Sequence, residues 1–256
     1  MQVERTPYRT GSTTEFPLIN AVLDGLQDGR LFEDRGKVWY VLHKAGFSYL
    51  IRRDRLDLPA IFSFLLGARE IPAYFHLYDP PVQFVDYCAG QGEDVAIRLR
   101  KRIQLKFSAR SLKLTDLPLP AGYGIHSIDE ANFDQLSLFN LALAERFWRS
   151  GPDFLRNGFG FFISNEEGMP VSICYAACVA RNTAEIDVAT LPGYQKKGFA
   201  KAVVSAFTRH CLQHNIVANW DCFEDNQSSL GTAESVGFKQ SGKYDFLSIF
   251  NKRKQQ

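Results

Sequence analysis

Two stretches of this chain combine residue types that can bind and move charge. Gln195-Lys-Lys-Gly198-Phe-Ala200 reads as a turn that opens straight into a helix, with Lys196 and Lys197 inside it. The first amides of a helix have no partner within it and lie at the positive end of its dipole, so a pyrophosphate is stabilised there. Gly198 has no side chain to keep a ligand off the main chain; its plainer role would be to bend a surface turn. Just upstream, Glu185 and Asp187 alternate along an expected strand, so both carboxylates face one side of a sheet. A carboxylate so placed can take a proton from a nucleophile, directly or through water. Two polar residues on a solvated face would show the same alternation.

The elements that would hold these residues follow from pattern. The strand runs from about Ala184 into the turn, and a helix begins at about Phe199. Phe199, Val203, Phe207 and Cys211 step by four along it, an apolar stripe that can pack on a sheet. A strand over Ile216–Cys222 follows, then a short helix after Asn226-Gln-Ser-Ser229, Gly237-Phe238 and a last strand pair. Upstream, Tyr123–Ile128 reads as a strand. Ser127-Ile-Asp129-Glu130 carries a capping signature for a helix, and a second helix is expected over Phe139–Trp148. Phe159–Ile163 and Pro170–Ala180 read as strands joined by a turn at Asn165–Gly168.

These features together resemble the GNAT N-acetyltransferases. Gln195-x-x-Gly198-x-Ala200 matches their acyl-CoA signature, Pro192 precedes Gly198 at a spacing common there, and Asn226 followed by Gly237-Phe238 matches the second half of their core. The resemblance covers roughly residues 121–256, and Thr190 and Ala200 are typical of the branch that includes the zwittermicin A resistance proteins. It implies acetyl-CoA as co-substrate, with the pyrophosphate on Gln195, Lys196, Lys197, Gly198, Phe199 and Ala200 and pantetheine along Ala189, Thr190 and Leu191. Asn226 and Ser229 would reach it from the opposite side. The implied reaction moves an acetyl group to a primary amine, with a small amino-bearing metabolite or antibiotic as acceptor. Of the two carboxylates, Glu185 is the preferred base and Asp187 the second, and main-chain N–H groups near Thr190 would polarise the thioester carbonyl. One position departs from the family. Ala233 stands where many members carry the tyrosine that protonates the leaving thiolate, and Ser229, Cys222 and Tyr244 are the replacement donors to weigh. Two other functions fit the same pattern: an acyltransferase directed at protein or RNA, and a non-catalytic module that senses acyl-CoA.

Bulk properties narrow the class. The chain has 256 residues, 45% hydrophobic and 23% charged, with net charge +2, ordinary values for a globular protein with no global bias toward nucleic acid. No stretch approaches the roughly 20 apolar residues of a membrane helix, and Met1-Gln-Val-Glu-Arg-Thr-Pro7 has no apolar signal core, so a cytoplasmic location is expected. The cysteines are odd in number and scattered, which argues for buried thiols rather than disulfides; Cys174 and Cys178 should share one strand face. His210 and His214 have the spacing of a zinc-protease helix, but Cys211 stands where its glutamate would be, so no metal is expected. Arg98–Lys106 and Asn251–Lys254 are basic runs, read as a solvated linker helix and a frayed tail.

The prolines and glycine of Leu117-Pro-Leu-Pro-Ala-Gly122 mark a connector. The expected fold class is α/β (α+β), with a mixed sheet flanked by helices over 117–256. A smaller α+β domain over 1–116, of no assigned role, precedes it. In that first part Lys37–His43 and Phe47–Arg52 read as a hairpin, Leu58–Leu66 as a helix capped by Asp57, and Val82–Tyr87 as a strand.

Overall fold

The structure, a computed structural model, describes residues 14–51, 57–107, 118–139 and 146–255. By compactness the chain divides into two units: the residues up to Arg102 together with those from Lys243 onward, and Ile103–Gly242. Ile103–Phe107 thus fall with the second unit and the C-terminal segment with the first.

Among the described residues, the first unit is a mixed sheet with three α-helices. Strands β1 (Gly29–Asp34), β2 (Lys37–His43), β3 (Phe47–Leu50) and β4 (Tyr74–Tyr78) lie in that order, followed by β11 (Lys239–Asn251). All neighbours are antiparallel except β3 and β4. The hairpin of β2 and β3 turns where Gly46 donates its N–H to the His43 carbonyl. Helix α1 spans Pro17–Leu23, and α2 spans Leu58–Gly67, where Asp57 caps by accepting the Ala60 N–H at 3.1 Å. The helices and one sheet face bury Tyr40, Phe62, Leu65, Phe75, Phe84 and Leu247.

Three expectations in this unit are corrected. Val82–Ala89 is a helix, α3, not a strand: Pro81 caps it, and Phe84 and Cys88, four apart, are buried while Val82 is exposed. A strand would have buried alternate residues instead. The basic run is no linker helix; it belongs to β5 (Val95–Lys106), and its Lys101 pairs with Asp245. The tail is anchored: Arg253 pairs with Asp94, and Lys254 Nζ donates to the Ala68 carbonyl at 2.6 Å.

In the second unit, β6 (Gly124–Ser127), β7 (Gly160–Ser164), β8 (Pro170–Ala180), β9 (Thr183–Thr190) and β10 (Val217–Phe223) form a sheet in the order β10-β9-β8-β7-β6. Every pair is antiparallel except β10 with β9. Beside β10 the Phe107 N–H donates to the Ala218 carbonyl at 3.0 Å, just beyond β5. Its helices are α4 (Gly151–Asn157), α5 (Phe199–Gln213) and α6 (Gln227–Val236). Asp129 makes a turn rather than a helix start, its carboxylate accepting the N–H groups of Ala131 and Asn132, and a 3-10 helix follows over Phe133–Phe139. Most of the helix expected over Phe139–Trp148 lies outside the described residues. The closing strand pair is instead the single long β11.

All members of the stripe Phe199, Val203, Phe207 and Cys211 are buried against the sheet, among Cys174, Ala176, Ala184, Ile186 and Trp220. Because Phe207 is fully buried, Phe207→Ala is expected to destabilise the second unit by about 3–5 kcal/mol, the cost of lost transfer plus cavity, read as a lower urea midpoint.

A bulge in β8 sets the other sheet face. Ala176 pairs with Ile186 and Cys178 with Glu185, leaving Ala177 as an extra residue. Cross-strand partners share a face, so Cys178 lies opposite to Cys174, against the expectation from simple alternation. The face away from α5 therefore carries Tyr175, Cys178, Glu185 and Asp187.

Candidate functional site

The site is built where β9 and β10 begin together and then part. They pair in parallel from Thr183–Val217 to Glu185–Asn219, and the pairing stops there although both strands continue. A cleft of about 400 Å³ opens beyond, with Val188, Ala189 and Thr190 on the β9 side and Trp220 on the β10 side. Leu191 donates its N–H to the Val171 carbonyl at 2.9 Å. Hydrogen-bonding direction alternates along an antiparallel strand, so the main-chain groups of Ala189 also face β8, while those of Val188 and Thr190 face the cleft.

The turn after β9 is shaped by backbone handedness. Gly193, Lys196 and Gly198 have φ of 85°, 61° and 83°, and Gln195 and Lys197 between them do not share the positive sign. Such alternation turns successive N–H groups toward one concavity, the arrangement of anion-binding nests. Lys196 adopts this conformation without being glycine, at a cost of about 1–3 kcal/mol that the surrounding turn must offset. Gln195 helps: its Nε2 donates to the Thr190 carbonyl at 3.2 Å and closes the loop. Lys197 places its ammonium 5.2 Å from the centre of the Tyr194 ring. Gly198 is the N-cap of α5 with no side-chain capping bond, so the helix presents the N–H groups of Phe199, Ala200 and Lys201 unpaired by any cap. A Cβ at Gly198 would meet no protein atom within 4 Å. Steric crowding therefore does not require glycine there; the positive φ does.

Of the residues singled out from sequence, Ala189, Thr190, Gln195, Lys196, Gly198, Phe199, Ala200, Asn226 and Ser229 line this cleft, whereas Leu191 and Lys197 lie outside its lining. Phe199 contributes main chain, because its ring is buried in the core. Asn226 caps α6 by accepting the Ser229 N–H at 3.1 Å. The Ser229 hydroxyl accepts the Trp220 indole N–H at 3.0 Å, which leaves its own hydrogen to donate elsewhere. Among the other donors weighed for the thiolate, Cys222 is buried in the core, as is Ala233, and Tyr244 belongs to the first unit. Trp220, Lys201, Ser228 and Thr232 also line the cleft and were not singled out from sequence. Lys201 is in the first turn of α5 itself, but the nearness of Trp220, Ser228 and Thr232 to the turn depends on how β10 and α6 fold back, which no local pattern records.

The two carboxylates share the face expected of them but differ in setting. Asp187 accepts from the Tyr175 hydroxyl at 2.7 Å and from Arg146 at 3.1 Å. Burial first, and then the Asp187 charge, push the Tyr175 phenol far up, so it stays protonated as a donor. Glu185 is largely buried at the last paired position, and its Oε2 accepts the Asn219 amide N–H at 2.6 Å. Asn219 is fully buried, and its Oδ1 has no hydrogen-bond partner. The Cys178 thiol, across β8, is pushed well up by burial and by the Glu185 carboxylate, so it is not a thiolate nucleophile. His210 and His214 stack with ring centres 4.0 Å apart, and a His214 ring nitrogen lies 2.9 Å from the His210 carbonyl. Among the described residues no helix is long and apolar enough to cross a membrane.

Comparison with known proteins agrees with this geometry. The chain is 35% identical over 144 residues to the uncharacterized N-acetyltransferase YdfB of Bacillus subtilis (strain 168), a match covering 56% of this chain. The matched region spans only 54% of that relative's length. In fold, the chain is similar to a GCN5-related N-acetyltransferase-like protein from Streptococcus suis 89/1591 (TM-score 0.71, 22% identity, 92% of this chain and 93% of that one). It is also similar to a GCN5-related N-acetyltransferase from Kribbella flavida (TM-score 0.61, 14% identity, 92% and 94%). The sequence pattern of GNAT acetyltransferases matches residues 85–247, taking in β9, the turn and α5. With the parted strands and the nest at the start of α5, that match makes the chain a member of the GNAT acetyltransferase family.

Proposed function

We propose that this chain is an N-acetyltransferase that moves an acetyl group from acetyl-CoA to a primary amine of a small molecule. The observation that carries the reading is the cleft between β9 and β10, which ends at the alternating turn and the uncapped start of α5. A pyrophosphate fits there because the concavity offers N–H donors and the positive end of a helix. The outward main-chain groups of Val188 and Thr190 suit the amides of pantetheine, as an added strand would. Glu185 acts as base, and Asp187, held by Tyr175 and Arg146, lies on the same face to orient the acceptor. The amine nitrogen attacks the thioester carbonyl, the C–S bond breaks, and Ser229 supplies a proton to the departing sulfur.

The resemblance to the zwittermicin A resistance branch suggests an amino-bearing metabolite or antibiotic as acceptor, in a cytoplasmic setting. Residues 117–256 carry the transfer in this reading, and residues 1–116 form a smaller domain of no assigned role. Calorimetric titration with acetyl-CoA, and with CoA as comparator, tests the cofactor assignment. Saturable one-to-one binding is expected, followed by thiol release when an amine library is added. An absence of heat at millimolar acetyl-CoA would overturn it, and binding without thiol release from any amine would leave a sensor rather than an enzyme.

A further inference from the structure

We propose that Asn219 positions Glu185, and that its Oδ1 joins the Glu185 carboxylate as a pair of acceptors for the N–H groups of a primary amine. This rests on the acetyl-transfer reading above and names residues for its acceptor side.

The orientation of the Asn219 amide follows from its partner. A carboxylate only accepts, so the amide must turn its NH2 toward Glu185 Oε2 at 2.6 Å, and Oδ1 points elsewhere. That oxygen is buried with no partner. A buried unpaired acceptor loses its hydration without a replacement, and native proteins rarely leave one without a use. The pair also stands at the last position where β9 and β10 are joined, three residues before the cleft lining begins at Val188. At about 3.3 Å per residue, that is within roughly 10 Å of the mouth where a thioester would lie.

Oδ1 and the Glu185 carboxylate, joined through the Asn219 amide, are together complementary to a nitrogen that still carries two hydrogens when one proton has left it. After giving up one proton a primary ammonium keeps two hydrogens, its N-methylated form keeps one and a hydroxyl keeps none, so the pair discriminates by hydrogen count. The transfer balances as follows. The ammonium gives one proton to Glu185, breaking an N–H bond and forming an O–H bond. The freed nitrogen forms the C–N bond as C–S breaks, Ser229 protonates the thiolate, and the nitrogen's surplus proton restores the Ser229 hydroxyl. Products are the amide and the thiol, and Glu185 returns its proton to water.

Other charged or titratable groups share this face and bear on its pH behaviour. They are Tyr175 and Cys178 on β8, Asp187 on β9 with Arg146 bound to it, Asp221 on β10 and Lys106 on β5. Asp134 lies on the 3-10 helix, and α4 brings Asp153, which is tied to Asn157. None of these is altered in the test.

The test is the pH profile of kcat/KM for Asn219→Asp with a primary amine and with its N-methylated form. The variant keeps shape and Oδ1 but replaces the donor by a second carboxylate. Two carboxylates at hydrogen-bond distance share a proton, so the acid limb should move up by about one pH unit or more, with activity recovering at high pH. Acetyl-CoA affinity should stay within about twofold, since only the acceptor side changes. Asn219→Ala, if Asn219→Asp fails to fold, should lower kcat/KM about tenfold or more and shrink the preference for the primary amine. An unmoved acid limb in Asn219→Asp, or an unchanged primary-to-methylated ratio in Asn219→Ala, would overturn the inference while acetyl transfer stood. A wild-type protein that binds acetyl-CoA but acetylates no amine would overturn both.

Discussion

Gly198→Asp is expected to weaken acetyl-CoA binding by about a hundredfold or more, which corresponds to roughly 3 kcal/mol. Two effects add. At φ of 83°, any side chain costs about 1–2 kcal/mol, because Cβ then crowds the following carbonyl. The aspartate charge also sits at the mouth of the nest, where it repels a pyrophosphate and competes for the same N–H donors. Gly198→Ala separates the two, since it keeps the strain and omits the charge. It should cost about tenfold. No protein atom lies within 4 Å of an added Cβ, so neither variant clashes with its own fold, and thermal unfolding should confirm that α5 remains in place. Calorimetry reads all three proteins, and equal dissociation constants for wild type and Gly198→Asp would remove the turn from the binding site.

Glu185→Gln is expected to lower kcat by about 10²–10⁴, the usual worth of a positioned general base, while acetyl-CoA binds as before. Glutamine has nearly the same shape, and its Oε1 can still accept from the Asn219 amide, so the 2.6 Å contact has a successor. What disappears is the capacity to hold a proton. The deficit should shrink as pH rises toward the range where a primary amine is free without help. Asp187→Asn offers the contrast: Asp187 is already paired with Tyr175 and Arg146, so its loss should raise KM more than it lowers kcat. If Glu185→Gln turned over at nearly the wild-type rate, the base would have to be sought elsewhere on that face.

How far the chain could be read without its structure depends on the reach of each signal. The turn, the start of the helix at Phe199 and the strand over Pro170–Ala180 were legible, because a glycine in a left-handed turn, a four-residue apolar period and an unbroken apolar run act within a few residues. The same local reading failed at Val82–Ala89, where an apolar hexapeptide suits either strand or helix and only packing of Phe84 and Cys88 decides. It failed at Cys178 as well, since one extra residue in β8 reverses every face beyond it.

By itself, then, the sequence determined the family signature, the nature of the turn and the shared face of Glu185 and Asp187. Tertiary structure alone decided that β9 and β10 part after Glu185 and Asn219, that Trp220 and α6 complete the cleft, and that Asn219 is buried against the carboxylate. The first group depends on periodicity and backbone handedness between near neighbours. The second depends on strand register and burial between residues more than thirty positions apart, such as Glu185 and Asn219, and those are set by the packing of the whole unit.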